Sequence, residues 1–428
     1  MLKLNNDGAT SRTDKALFIV PLYACARNTG GGQRTFHLYE SLSRFCDLDI
    51  LLVSQPECAM LERHYPHAFE AAFPNATNIH LLRSRTAGAM PGPFLKPAMR
   101  LRLAFESREA FYRPTEHALA RLSELMNAYR YDFVVGRYLL PTSRAGALES
   151  IGVPVFLDVD DRDDKVIESR IASPTTPALV KRILRRQLEQ MKPLVTQLLA
   201  RFAHVWLASE VDRDEVQHAS KSVLPNIPYE SEATLAAADT VGADPIILFV
   251  GTYSHRVNRE GVLHFVDACW PQIRRAVPHA QFRIVGSGEW GELRLRLEAQ
   301  PGVTVVGTVD DLAAEYRGCA FSVVPLLEGS GTKIKVLESL RYFRTVVAHN
   351  HAVRGLDKLR HGESLLVAES DQGMASHCVA LLNDPDRGQS LARRGRAVVA
   401  DEYSLQRFAS TVQADIDSSL RQLRRVAA

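Results

Sequence analysis

The sequence predicts an α/β protein of two Rossmann-like, doubly wound parallel-sheet domains. Three observations carry that prediction. Short apolar runs rich in β-branched residues recur along the chain, as expected of parallel strands buried on both faces. Helical patterns separate these runs, so the order reads β-α-β throughout. The same opening of strand, polar loop, helix and strand occurs twice, near residue 16 and near residue 245.

Taken in order, ALFIVPL (16–22) is the first strand, and ACARNTGGGQR leads from it into the helical TFHLYESLSRF. LDILLVS is the next strand, which completes a βαβ unit. YDFVVGRY, VPVFLDVD, HVWLAS and KSVLPN follow as further short strands. The stretch 229–244 is small and polar with no apolar run, which predicts a linker between domains over 1–228 and 245–402. PIILFVG restarts the pattern, the loop TYSHRVNREG opens a helix, and QFRIVGSG, VTVVG, CAFSVVPLL, TVVAHN and SLLVAES continue it. Residues 403–428 read as a C-terminal helix after the second domain.

Composition narrows the function classes without choosing one. With 428 residues, 46% hydrophobic and 24% charged, the chain is neither disordered, collagen-like nor a long coiled coil. Lys+Arg 52 against Asp+Glu 49 leaves +3, which gives no electrostatic case for nucleic acid as a partner. The six cysteines form no C-x-x-C pair and have no histidine at zinc spacing, so they read as buried thiols of a reducing compartment. The N-terminus is polar, and the first apolar run is short and broken by Pro21. That pattern fits neither a signal peptide nor a membrane span, and a cytoplasmic address is expected.

The stretch PLLEGSGTKIKVLESL (325–340) carries the most chemistry. A strand ends, Gly329-Ser330-Gly331-Thr332 turns the chain, and a helix begins. Ligands of doubly wound sheets bind at the carboxyl ends of strands, where free N–H groups of helix starts meet anions. Lys333 and Lys335 put two cations into the first helical turn, where they oppose the positive end of the helix dipole and call for an anionic ligand. Glu338 lies where its carboxylate could accept two adjacent hydroxyls, as on a ribose. The order G-x-x-x-x-G-K-[ST] is absent, so this is not a P-loop.

GSGTKIKVLESL followed by TVVAHNHAVRGL resembles the C-terminal signature of the group-1 family of retaining glycosyltransferases, which have the GT-B fold. The resemblance extends to ILFVGTYSHRVNREGVLHFVD, to VTVVGTVDDLAAEYRGCAFSVVPL and to KSVLPNIP. Gly30-Gly31-Gly32-Gln33-Arg34 is similar to the glycine loop of the family's acceptor-side domain. The match is good over about 245–410 and patchy over the first 230 residues.

The resemblance implies a glycosyltransferase whose co-substrate is a nucleotide-diphosphate sugar, with no permanently bound cofactor and no metal. Glu338 would bind the donor ribose. Ser330, Gly331 and Thr332, with the cationic Lys333 and Lys335, would hold the diphosphate and assist its departure. Gly31 and Gly32 would approach the same diphosphate from the opposite domain. The family's Glu-x7-Glu is altered, since counting back from Glu338 gives Ser330, and Glu328 stands two residues earlier. Its basic pair after the domain's first strand is altered too. Gly251 is followed by Thr252, and Arg256 and Arg259 are the nearby cations. The family's sugar-contacting histidine has no counterpart; Arg137, after YDFVVG, occupies the expected place on the acceptor side.

Asp158 to Asp164 (DVDDRDD) closes the strand VPVFL, and it reads as a solvated, helix-capping loop bordering the acceptor site. A carboxylate there, Asp160 or Asp161, could act as a base toward an acceptor hydroxyl. Segments 94–113 and 179–203 mix basic and apolar residues at helical spacing. Lys181, Arg182, Arg185 and Arg186 stand beside Ile183 and Leu184, a pattern fit either for packing on the sheet or for an anionic membrane surface. The acceptor expected is a glycan or lipid-linked glycan, met by a cytoplasmic protein at the inner face of the membrane in polysaccharide or glycolipid assembly. Two alternatives remain: a sugar-nucleotide-binding protein without turnover, and a nicotinamide-dependent oxidoreductase built on GGGQR, which lacks G-x-G-x-x-G.

Overall fold

The computed structural model describes residues 14–25, 30–54, 67–83, 108–149, 151–160, 162–172, 176–228, 244–253, 255–328 and 332–427. The chain divides into two compact units, one of Met1–Leu224 with Phe408–Ala428, the other of Pro225–Arg407.

The first unit holds a parallel sheet of β1 (Lys15–Pro21), β2 (Asp47–Val53), β3 (Asn78–Leu82), β4 (Phe133–Arg137), β5 (Val155–Val159), β6 (His204–Leu207) and β7 (Lys221–Val223). Its order is β3-β2-β1-β4-β5-β6-β7, so the winding reverses between β1 and β4. β1, β4 and β5 are buried along nearly their whole length, the burial that continuous apolar runs require. β3 has no counterpart in the apolar pattern: it is an edge strand with only Leu82 fully buried, and Asn78 and His80 interrupt its hydrophobicity.

The helices of this unit relevant to function are α1 (Gly30–Leu42), α2 (Glu116–Tyr129), α3 (Leu139–Arg144), α4 (Asp163–Ala172) and α5 (Ala178–Leu199). α2 packs Leu122 and Leu125 into the core shared with β1 and β4, and Thr115 caps it by accepting from the Ala118 N–H.

The second unit holds β8 (Ile246–Val250), β9 (Gln281–Val285), β10 (Val303–Gly307), β11 (Phe321–Val324), β12 (Val346–His349) and β13 (Leu366–Ala368), all parallel. The order β10-β9-β8-β11-β12-β13 reverses between β8 and β11. Around it lie α6 (Arg256–His264), α7 (Leu312–Gly318), α8 (Ile334–Arg341), α9 (Asp371–Asn383) and α10 (Pro385–Glu402). α6 sits tight against the end of β11, since a Cβ on Gly261 would lie 2.8 Å from both Pro325 O and Leu326 Cδ2.

The final helix, α11 (Leu405–Ala427), belongs almost wholly to the first unit. Asp415 on it accepts from Trp206 Nε1 at 2.9 Å and from Ser222 Oγ at 2.6 Å. Contacts place the division between the units at Leu224/Pro225, and most of the expected linker, 229–243, lies outside the described residues. Among the described residues no helix is long and apolar enough to cross a membrane. Cys25, Cys46, Cys269, Cys319 and Cys378 are free, all but Cys25 buried; Cys58 lies outside the described residues.

Candidate functional site

In the second unit, the winding reversal leaves a crevice position at the carboxyl ends of β8 and β11, where open α/β sheets take ligands. Both following helices, α6 and α8, start there. Of the glycine turn, Ser330 and Gly331 lie outside the described residues. Thr332 is described, and its hydroxyl accepts from Asn226 Nδ2 at 2.7 Å. Lys333 is the residue before α8, with no side-chain cap hydrogen bond.

Lys335 in the first turn of α8 donates to Asn258 Oδ1 at 2.7 Å and lies 4.7 Å from the Phe249 ring centroid. Asn258 is itself held, donating to Thr252 O at 2.9 Å. Gly251 is required just beneath, because a Cβ there would lie 2.9 Å from the Asn258 amide and the Phe249 ring. Burial, with Lys333 adding to it, brings the Lys335 ammonium down to about 7, against the pull of Glu338.

Other cations converge on the same place. Arg256 sits between Glu260 and Glu328, 2.5 Å from each. Glu328 is buried at the end of β11, and neither of its oxygens has a well-aligned hydrogen-bond donor among the described residues, so the Arg256 contact is one of charge. Arg259 donates to Tyr253 O. His255 lies among them with its pKa lowered by burial and then by Lys335, Lys333, Arg256 and Arg259. Such a density of positive charge at two helix starts has the chemistry to take a multiply charged anion.

One turn beyond Lys335, Glu338 is half-buried and accepts from Tyr316 Oη at 3.2 Å. Burial raises its pKa, while Tyr316 and Lys335 oppose the rise. The turn Gly286–Gly288 after β9 adjoins the same strand end, where Tyr253 N donates to Ser287 O and Trp290 Nε1 to Gly286 O.

In the first unit the predicted residues meet in a different arrangement. Arg137, the last residue of β4, is fully buried and donates to Asp158 at 2.7 Å and Asp160 at 3.0 Å. Burial opposes its charge, but Tyr138, Asp158 and Asp160 hold its pKa above the ordinary value. Arg34 from α1 meets the other side of Asp158 at 2.5 Å and donates to Leu224 O at 2.7 Å. Gly31 faces the Tyr138 hydroxyl, which would lie 2.7 Å from a Cβ added there, and Gly32 is buried. Tyr138 adopts φ 65°, a left-handed backbone.

The acidic run is therefore not the solvated loop expected. Asp158, Asp160 and Asp164 are buried, because arginines from β4, α1 and position 162 neutralise them. Asp163 accepts from Tyr112 Oη at 2.6 Å, and burial pushes its carboxyl up to about 6. Asp161 lies outside the described residues.

On α5, Leu184, Met191, Val195 and Leu199 face the core. The opposite face exposes Leu179 (72%) and Ile183 (45%) beside Arg182, Arg185 and Arg186, which have no ion pair among the described residues. Of the segment 94–113, residues 94–107 lie outside the described residues.

Sequence reasoning missed Asn258, Tyr316 and Arg34 as members of these sites. Asn258 stands in the stretch ILFVGTYSHRVNREGVLHFVD, and Arg34 closes the glycine loop, but their partners lie 77 and 124 residues away.

Residues 244–384 match the family described as "Glycosyl transferases group 1". A relative in Klebsiella pneumoniae, an uncharacterized 44.6 kDa protein in the cps region, is 23% identical over 211 residues, covering 47% of this chain and 54% of that one. The match thus spans about half the length of this curated relative. Among solved structures, sucrose-phosphate synthase from Thermosynechococcus elongatus aligns with TM-score 0.64 and 19% identity over 96% of this chain and 100% of that one. Anabaena HepE in complex with UDP aligns with TM-score 0.60 and 13% identity over 94% of this chain and 100% of that one. The S. aureus protein TarM gives TM-score 0.62 and 9% identity over 95% and 99%. The chain has the GT-B fold, and the part of its second unit over residues 244–384 is similar to the group 1 glycosyl transferases.

Proposed function

We propose that the protein is a retaining glycosyltransferase that moves a sugar from a nucleoside-diphosphate sugar to an acceptor hydroxyl. The carrying observation is the convergence of Lys333, Lys335, Arg256 and Arg259 on His255 at the starts of α6 and α8, with Glu338 one turn further. In the transfer, the bond from the anomeric carbon to the diphosphate oxygen breaks and its electron pair stays on the diphosphate. The acceptor oxygen forms the new bond on the same face, and its proton goes to the departing phosphate. Lys335, Lys333 and Arg256 stabilise the charge that grows on the leaving group, a role that in this reading falls to side chains rather than to a divalent cation. Glu338 takes the ribose hydroxyls, and Thr332, with Ser330 and Gly331, approaches the phosphates. Glu328, held by Arg256, supplies the carboxylate nearest the donor sugar. In the first unit Asp160, held from behind by the buried Arg137, is the residue assigned to the acceptor. UDP in complex with Anabaena HepE supports a nucleotide ligand for this fold.

The test is nucleotide release from a panel of UDP-, GDP- and ADP-sugars with glycan acceptors. Release that depends on Glu338 is the expected result, and Glu338→Ala should weaken nucleotide binding about tenfold or more. Tight binding without release would instead identify a sugar-nucleotide-binding protein, and neither binding nor release would overturn the reading.

A second observation bears on the acceptor. The exposed face of α5, two aliphatic side chains among three arginines, suits an anionic lipid surface on which a lipid-linked glycan would be met from the cytoplasm. The similarity to a protein of the Klebsiella pneumoniae cps region supports a place in polysaccharide or glycolipid assembly. Co-sedimentation with phosphatidylglycerol vesicles but not with phosphatidylcholine vesicles is expected, and Arg182→Glu with Arg186→Glu should abolish it. Absence of binding at low salt would refute the surface assignment.

A further inference from the structure

Tyr316 is held on two sides, by Glu338 of α8 and by Tyr342, the residue that caps the C-terminal end of α8. Its ring lies parallel to Tyr342, centroids 4.5 Å apart and planes 13° apart, and its hydroxyl donates to Glu338 Oε2 at 3.2 Å. Glu338 and Tyr342 are four residues apart, and the Tyr342 N–H donates to Glu338 O at 3.1 Å, which sets one above the other across the last turn. The phenol comes from α7, is 1% exposed, and is fixed by the stack before any ligand arrives.

We propose that Tyr316 is a positioning residue that sets the Glu338 carboxylate to receive the vicinal hydroxyls of a nucleoside ribose. The proposal rests on the function proposed above. The terminal torsion of a glutamate is broad, so an unconstrained carboxylate samples many planes. A buried hydroxyl bonded to Oε2 selects one plane, and it leaves Oε1 and the second lone pair of Oε2 for two further donors. A pair of adjacent ribose hydroxyls is the ligand that uses both. The same hydrogen bond favours the ionised carboxylate, which burial works against. Ionisation matters because a protonated carboxyl gives up one of its acceptor positions.

Tyr316→Phe is the decisive variant, since it keeps the ring and the stack on Tyr342 and removes only the hydroxyl. Affinities for UDP, ADP and GDP and for their 2′-deoxy counterparts would be measured by calorimetry between pH 5 and 8. The wild type should prefer the ribonucleotide. Tyr316→Phe should lose about tenfold in ribonucleotide affinity with little change for the 2′-deoxy form. The acid limb of ribonucleotide binding should also move to higher pH, because the carboxylate loses a bond that favours its charge. Equal losses for both nucleotides would mean a merely structural role and overturn the proposal. So would an unchanged preference and pH limb in Tyr316→Phe when Glu338→Ala abolishes the preference; that outcome leaves the proposed function standing. If the wild type binds no nucleotide at all, both fall together.

Discussion

Lys335 Nζ lies 2.7 Å from Asn258 Oδ1, and this one bond joins the first turn of α8 to the first turn of α6. The two helices follow β8 and β11, the neighbouring strands at which the sheet's winding reverses. Asn258 is neutral, so it orients the ammonium without cancelling its charge. The charge stays available to an anion, and burial keeps it near its titration point.

The first prediction follows from that proton. With its pKa lowered to about 7, Lys335 is charged below pH 7 and loses its charge as the pH rises through that value. A diphosphate binding beside it favours the charged form. Nucleoside diphosphate binding at pH 7–8 should therefore take up protons, seen as different binding enthalpies in phosphate and Tris buffers. Affinity should fall about tenfold from pH 6 to pH 8 beyond the change due to the nucleotide's own titration. Lys335→Met should remove both effects; buffer-independent enthalpies in the wild type would contradict the assignment.

Asp158 answers two guanidinium groups inside the first unit, Arg34 at 2.5 Å and Arg137 at 2.7 Å, with all three side chains fully buried. Asp158→Ala leaves two buried cations short of a partner. A loss of about 3–5 kcal/mol is expected for breaking a buried pair in this way. Urea unfolding followed by the fluorescence of Trp206, in the same unit, reads it.

Gly261→Ala tests the seat of α6. The new methyl would come within 2.8 Å of the Pro325 backbone oxygen, which a side-chain rotation cannot relieve. About 1–3 kcal/mol of destabilisation is expected from such overpacking. A shift of α6 would move Asn258 with it, so nucleotide affinity should fall in the folded variant as well. Wild-type stability and affinity would show that the helix sits further from β11.

Asp163 gives a prediction of opposite sign to the usual aspartate. Its folded-state carboxyl is raised to about 6, so the folded protein holds the proton more tightly than the unfolded chain does. Stability should fall as the pH climbs from about 4 to about 6, and the penalty should persist above that. Asp163→Asn keeps an acceptor for Tyr112 and removes the charge. It should stabilise the protein by up to about 2 kcal/mol at pH 7.5 and leave it nearly unchanged at pH 4. Thermal melts at the two pH values give the comparison.

The strands were legible where burial is complete. ALFIVPL and PIILFVG read as strands because β1 and β8 each contact neighbours on both sides in the middle of a sheet. β3 was not legible, because an edge strand with one fully buried residue needs no continuous apolar run. In the site, Lys335 and Glu338 were legible from a glycine turn feeding a helix. Tyr316 was not, since it lies 22 residues before Glu338 on another helix. The acidic run 158–164 misled for the same reason: local spacing shows the carboxylates but not the arginines that reach them.

By itself, the sequence determined two parallel sheets, a glycine turn opening a cationic helix, and a glutamate one turn on. These are local patterns, set by periodicity and by residue type at a turn. Tertiary structure alone decided that the acidic run is buried, that α11 belongs to the first unit, and that Lys335 titrates near neutrality while Asp163 titrates high. Desolvation and Coulomb energies depend on distance in space and on exclusion of water. Neither is a function of separation along the chain.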